Sequence, residues 1–277
     1  MPVTARRLIR KLRGGAQSHL IEGEDNHFYI VKFRNNPQHR RILVNEWIAS
    51  VFLRYLQISA PEVAIVHLTE SFLEANPEVS IQLGSNRIYP EPGWHFGSKH
   101  PGDPAKLAVY DFIPDVLLEK VANLREFAGV LAFDKWMGNA DARQSIFFRA
   151  RLKEWVHGSI EHPNKLGFVS QMIDHGYVFN GPYWNFTDSP IQGLYFRPVV
   201  YREIRGFDDF QPWLDRLIYF PEQIFDDAVK QIPPVWLDGE DQELDRLLNN
   251  LMARRKRVPE LLRECSAARN TPFPNWK

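Results

Sequence analysis

Three charged side chains in this sequence sit where chemistry could be done. Asp141 lies in the short polar loop Gly138-Asn139-Ala140-Asp141, which empties from an apolar helical run and leads into Ile146-Phe147-Phe148. Asp174 closes a second apolar run, Met172-Ile173, and is followed by His175-Gly176. Lys32 interrupts the apolar strand pattern Phe28-Tyr29-Ile30-Val31-Lys32-Phe33. Phosphoryl transfer needs little covalent chemistry from a protein; it needs placed phosphates, a metal ion on oxygen ligands and a base aimed at the acceptor hydroxyl. Asp141 suits the base because a loop between helix and strand lets a carboxylate face a cleft. Asp174 suits the metal ligand, with Gly176 allowing the chain to turn sharply beyond it. Lys32 is either an edge residue snorkelling outward or a buried cation with a partner.

The elements that must hold these groups follow from periodicity. Two short apolar runs around Glu24-Asp25-Asn26 predict a β-hairpin, preceded by Gly14-Gly15-Ala16-Gln17-Ser18. Gly14 and Gly15 allow close backbone approach, and successive amides through Gln17 and Ser18 could cradle a phosphate; an ordinary entry turn has the same composition. Apolar residues at helical spacing predict a strongly amphipathic helix from Arg41 to Gln57, with Glu46 near the edge of its apolar face as the candidate partner of Lys32. Residues 74–106, rich in Pro and Gly, read as a long surface excursion. Leu107 to Pro114 reads as a connecting strand in which the backbone of Tyr110, Asp111 and Phe112 could meet an adenine edge, or as an ordinary interdomain strand. Helices are expected at 117–121 and 124–137, and paired strands at 146–148 and 166–173 around a polar turn at His157-Gly158-Ser159. An irregular aromatic segment spans 177–206, and helical patterns run from Gly206 to Leu262, the last of them unbroken from Glu240.

Composition narrows the classes. The chain has 277 residues, 44% hydrophobic and 25% charged, enough for a sizeable core. Lys+Arg and Asp+Glu balance at 34 each, so no global field favours nucleic acid or membrane, and any charged partner needs a local patch. The basic segments Arg6–Arg13 and Arg254–Arg257 are the only weak pointers to nucleic acid, and the second reads as a solvated helix face. A lone Cys265 excludes an internal disulfide framework and fits a reducing compartment. No run of eighteen apolar residues is present to span a membrane, and no apolar stretch follows the first arginines as in a secretory signal. The pairs His157/His162 and His95/His100 lack metal-ligand spacing on a helix, and no G-x-S-x-G elbow supports hydrolase chemistry.

The order glycine turn, strand lysine, helix glutamate, connector, loop aspartate, strand-end aspartate is more telling than any one member. With Gly14-Gly15-Ala16-Gln17, Val31-Lys32-Phe33, Val44-Asn45-Glu46, Phe133-Asp134-Lys135-Trp136, Gly138-Asn139-Ala140-Asp141, Ile173-Asp174-His175-Gly176, Ile232-Pro233-Pro234-Val235-Trp236 and Leu251 to Arg255, the sequence resembles the HipA-like kinase domain proteins over about residues 12–263. The resemblance implies an α+β, bilobal protein-kinase-like fold: a small β-rich N-lobe (1–108), a hinge (109–114) and a larger, mostly α-helical C-lobe (115–277). It implies ATP and Mg²⁺ as cofactors, Lys32 on the phosphates and Glu46 holding Lys32. Asp141 becomes the catalytic aspartate and Asp174 the metal ligand, with the γ-phosphate passing to a hydroxyl, a serine or threonine of an unknown protein acceptor. A bacterial, cytoplasmic setting follows from the same likeness.

Two departures qualify it. Such kinases carry a metal-binding asparagine five residues after the catalytic aspartate, where this chain has Ile146; Gln144 is the chosen substitute, with Asn139 the other candidate. The amino-terminal subdomain of full-length HipA toxins is also missing from the pattern, so toxin behaviour is not carried over. A nucleotide-binding pseudokinase acting as an interaction module and a small-molecule kinase stand as alternatives. His175 reads as structural, bonding backbone near the loop, and Ser18 as a turn residue.

Overall fold

The computed structural model describes residues 2–156 and 164–277; the expected turn at 157–159 and His162 lie outside the described residues. Strands β1 (Val3–Lys11), β2 (His19–Gly23) and β3 (Phe28–Lys32) lead into helix α1 (Arg41–Leu56), strand β4 (Val63–Leu68) and helix α2 (Glu70–Ala75). A hairpin of β5 (Ile81–Leu83) and β6 (Asn86–Ile88) precedes β7 (Gly93–Lys99). The five longer strands close a barrel in the order β1-β2-β3-β7-β4, sealed by the parallel pairing of β1 with β4. Alternation along β3 decides what fills it: Tyr29 and Val31, with Phe33 just beyond the strand, point inward to join Ile21, Val66 and Leu68, while Ile30 and Lys32 face out.

The excursion expected at 74–106 is therefore corrected. Residues 93–99 form a barrel strand between β3 and β4, with Phe96 buried. The Pro/Gly-rich composition on either side hid a short stretch of period-two burial.

His19 and His95 flank the Phe33 ring inside the barrel, at 4.9 and 5.6 Å between centroids. Burial lowers both imidazoles to about 4. Their folded pKa lies below the unfolded value, so the unfolded chain takes up protons between pH 6.5 and 4 that the native state refuses, and stability must fall as pH drops through that window. His95 alone accounts for up to about 3 kcal/mol. Thermal melts at pH 7 and pH 5 should show the loss, and Gln at both positions should shrink it; an unchanged melting temperature contradicts the assignment.

Beyond β7, strand β8 (Val109–Tyr110) and helices α3 (Asp115–Leu118) and α4 (Glu126–Met137) open the second half, followed by β9 (Gln144–Arg151) and β10 (Leu166–Ile173). The three strands form an antiparallel sheet in the order β10-β9-β8, with Gln144 paired to Ile173. An irregular stretch of short 3₁₀ turns follows. Helices α5 (Trp213–Ile218), α6 (Glu222–Val229), α7 (Pro234–Leu237), α8 (Asp241–Arg254) and α9 (Val258–Ala267) complete the chain. The helical pattern from 240 to 262 is thus two helices, parted by a 3₁₀ turn at Arg255–Arg257 with Pro259 in the first turn of α9. No helix among the described residues is long and apolar enough to cross a membrane.

Helix α1 forms where the strongly amphipathic helix is expected, but it is buried well beyond one apolar face. Thirteen of its sixteen residues are buried, because α1 lies against β7 on one side and α6, α7 and the 178–183 turn on the other. Phe52 stacks on Trp136 of α4 at 5.6 Å, and Phe220 and Phe225 complete that aromatic cluster. A glutamate on such a helix is held, not solvated.

Parts of the basic segments are paired within the fold. Arg6 and Arg7 both pair with Glu22. Arg254 is buried, donating to the carbonyls of Trp136 (2.9 Å) and Lys135 (3.0 Å) and pairing with Asp188, which corrects its assignment to a solvated face.

Candidate active site

Lys32 is the buried cation of the two alternatives. Its Nζ donates to Glu46 Oε1 and, at 2.8 Å, to Asp174 Oδ1, so strand, helix and strand end meet at one ammonium. Burial alone would lower the Lys32 pKa, but the two carboxylates reverse this and raise it above the ordinary value. The same ammonium holds Asp174 below the usual carboxylate range. Glu46 Oε2 accepts from the backbone N–H of His175 at 3.0 Å, tying α1 to the turn at Asp174.

The turn at Asp174 differs from the expectation in one detail. The residue in the left-handed region is Asp174 itself, with φ 57°, a conformation a short polar side chain tolerates. Gly176 serves close packing instead: a Cβ there would stand 2.5 Å from Ile42 Cγ2 on α1.

Asp141 is presented by a framework the sequence did not reveal. Helix α4 ends at Gly138, whose φ of 60° provides the left-handed cap, and Asn139 N–H donates to Asp134 O at 3.0 Å. Asp134, fully buried, accepts from Arg143 through both oxygens, with Nε at 2.8 Å, and from Asn139 Nδ2 at 3.0 Å. Arg143 then reaches across the hairpin, donating to Ile173 O and His175 Nδ1, each at 2.9 Å. His175 Nε2 completes the bridge to Met172 O at 3.1 Å, and burial, with Arg143 beside it, keeps this imidazole well below its ordinary pKa, hence neutral. The structural reading of His175 holds. The signal for this network was a charged pair, Asp134-Lys135, inside an apolar helix.

Asn139 Oδ1 accepts from Asp141 N–H at 3.2 Å, and Asp141 Oδ1 from Ala142 N–H at 2.7 Å; Asp141 itself is exposed. Because Gln144 pairs with Ile173, the Asp141 loop and Asp174 open at the same end of the β9–β10 hairpin. Gln144 Nε2 donates to Asp174 Oδ2 at 3.1 Å, which brings the chosen substitute ligand to the metal-ligand candidate. Asn139, the other candidate, is buried in the Asp134 network. Ile146 lies two residues inside β9 and is buried, and its place is part of the strand.

The remaining candidates are placed less tightly. Gly14 to Ser18 form the turn joining β1 to β2, with Gln17 N–H donating to Gly14 O at 3.1 Å. The Gln17 amide side chain clamps the backbone of Gln82 on the β5–β6 hairpin, at 2.6 and 2.8 Å, and Ser18 is buried. Tyr110 pairs with Phe147, Asp111 is exposed, and Phe112 lies under the Arg197 guanidinium at 4.4 Å.

This arrangement, a buried lysine between a helix carboxylate and a strand-end carboxylate with an exposed loop carboxylate at the same end of the β9–β10 hairpin, suits phosphate positioning. The family profile of the HipA-like kinases matches residues 6–147, just over half of the chain. The chain belongs to the HipA-like kinase family. The match ends at Phe147, so Asp174 of this HipA-like kinase lies beyond it. The whole fold has solved neighbours: the crystal structure of the Golgi casein kinase with Mn/ADP bound is 12% identical, covering 96% of this chain and 74% of that one at a TM-score of 0.56. A second crystal structure of the Golgi casein kinase gives 12% identity, the same coverage and a TM-score of 0.53. No curated protein matches the chain. At that identity the likeness shows the fold: an α+β protein-kinase-like fold, β-rich in its N-terminal part and helical in its C-terminal part, and with the family it marks a kinase-type phosphotransferase.

Proposed function

We propose that this kinase transfers the γ-phosphoryl group of ATP, with Mg²⁺, to a hydroxyl acceptor, a serine or threonine of a protein. The observation that carries the reading is Lys32 fixed between Glu46 and Asp174. An ammonium has three donors, and two are used, which leaves one for a phosphate oxygen. The turn at Gly14 and Gly15 leads into β2, which pairs with the Lys32 strand, and we assign its backbone amides to the phosphates.

Asp141 accepts the proton of the acceptor hydroxyl. One of its oxygens is held by Ala142 N–H, and the other has no partner among the described residues. Asp174 and Gln144 hold Mg²⁺: Asp174 is kept ionised by Lys32, and magnesium takes few protein ligands and fills its shell with phosphate oxygens and water. When bound, the metal neutralises charge on the phosphates. The Golgi casein kinase was crystallised with Mn/ADP, and we infer the same pairing of nucleotide and divalent ion here. Ala at position 144 should weaken the apparent Mg²⁺ affinity about tenfold, roughly the worth of one net interaction. A Mg²⁺ titration identical to wild type would remove Gln144 as a ligand.

Ile146 favours a second reading, a pseudokinase that binds nucleotide without transfer. Both readings require binding. Saturating Mg-ATP at about 100 times Kd should stabilise the native state by about 2.7 kcal/mol, seen as a rise in melting temperature. No rise at millimolar Mg-ATP would remove both.

A further inference from the structure

Beyond the Asp174 turn the backbone takes a costly path: Phe179, Asn180, Gly181 and Trp184 all lie in the left-handed region, with φ of 59°, 57°, 63° and 52°. Asparagine and glycine tolerate that region, but phenylalanine and tryptophan stay in it only where their surroundings hold them. The hold comes from α1. Asn45 Nδ2 donates to Gly176 O, Val178 O and Gly181 O at 2.7, 3.1 and 3.0 Å, and Asn45 Oδ1 accepts from Trp184 Nε1 at 2.8 Å. One turn earlier on the helix, Arg41 donates to Pro182 O at 2.8 Å and lies 4.3 Å over the Trp184 ring. Asn45 is fully buried, at a helical position where leucine is the better helix former and has no polar atoms to desolvate. Its amide serves the turn and not the helix.

The same turn backs the loop that carries Asp141. Tyr177 O accepts from Ala140 N–H, and Asn180 N–H donates to Gly138 O, each at 3.0 Å, so the residues on either side of Asn139 hang on the turn and Asp141 comes next. The neighbour of Asn45 on α1 is Glu46, which holds Lys32 and the His175 N–H. Two adjacent residues thus tie one helix to the lysine and to the aspartate loop.

We propose that Asn45 is a positioning residue for the transfer step: it seats the 176–184 turn against the Asp141 loop and so sets the base in register with the phosphates at Lys32. The inference rests on the phosphoryl-transfer reading above and adds to it the group that fixes the distance between its two halves. Asn45 touches neither nucleotide nor acceptor, so its loss acts on the rate of transfer and not on nucleotide affinity.

The test uses the full chain as wild type, Asn45→Leu and Trp184→Phe, with calorimetric Kd for Mg-ATP beside single-turnover transfer from γ-labelled ATP. Each protein is assayed at the same interval below its own melting temperature, so that a change of stability alone does not alter the rate. Asn45→Leu keeps the side-chain volume and should lose about 10²-fold in transfer rate, the cost of an ångström of misplacement, with Kd unchanged. Trp184→Phe, which removes only the indole donor to Asn45 Oδ1, should lose about tenfold, one net hydrogen bond's worth, again with Kd unchanged, and carries the test if Asn45→Leu does not fold. Transfer at the wild-type rate by the folded variants overturns the role, and so does a loss of affinity that matches the loss of rate, which would mean that α1 itself had moved. Absence of transfer by wild type overturns instead the reading on which the role rests.

Discussion

Asp141→Asn should slow phosphoryl transfer by about 10²–10⁴-fold, the usual worth of a positioned general base, while leaving nucleotide affinity close to wild type. The split follows from where the carboxylate sits. Asp141 makes no hydrogen bond or ion pair with Lys32, Glu46 or Asp174; its backbone N–H is held by Asn139 and its carbonyl by Gly193 N–H at 3.1 Å. Asparagine preserves those backbone bonds and the Oδ1 acceptor for Ala142, and removes only the basic oxygen. Single-turnover rates with labelled ATP, beside calorimetric Kd values, check the split. Undiminished turnover would remove Asp141 as base, and a parallel loss of affinity would mean that the loop had collapsed.

Arg143→Met should be the most destabilising of these substitutions, by about 3–5 kcal/mol, because it strands a buried carboxylate. Asp134 and Arg143 are both fully enclosed, with side-chain exposure of 0% each. Truncation leaves Asp134 with Asn139 Nδ2 as its remaining side-chain donor and takes the bridge from Ile173 O and His175. The double variant Asp134→Leu/Arg143→Met should recover much of the stability, since a buried pair replaced by apolar groups is often near neutral. It should not recover activity, because Arg143 ties the Asp141 loop to the Asp174 turn. Urea denaturation of the three proteins measures this. A single variant as stable as wild type, or a double variant less stable than the single, would contradict the account.

The contrast between these two aspartates shows what the sequence made legible. Lys32, Glu46 and Asp174, which the structure brings together, could be singled out because each interrupts or ends an apolar pattern, and Asp141 because it stands in the polar loop between a helix and a strand. Asp134 breaks one too, yet its partner lies nine residues on in a loop and across a hairpin, a pairing that periodicity cannot state. Strand β7 was hidden by composition, since Pro and Gly on both sides outweighed a short alternation. Helix α1 was legible as a helix but not in its surroundings: its pattern shows one apolar face, and burial of the rest comes from packing between barrel and helices. Arg254 shows the same limit, because four basic residues in a row look solvated until a carbonyl-rich helix end is placed beneath one of them. The β9–β10 pairing was read correctly because both strands are apolar runs bounded by polar turns.

The central claim is tested most directly by incubating the purified protein with γ-labelled ATP and Mg²⁺, alone and with cell lysate, beside Asp141→Asn. The account predicts labelled protein acceptor and stoichiometric ADP with wild type, and neither with the variant. Mg-ATP binding by wild type without label transfer or ADP formation under any of these conditions would contradict it and leave a nucleotide-binding pseudokinase.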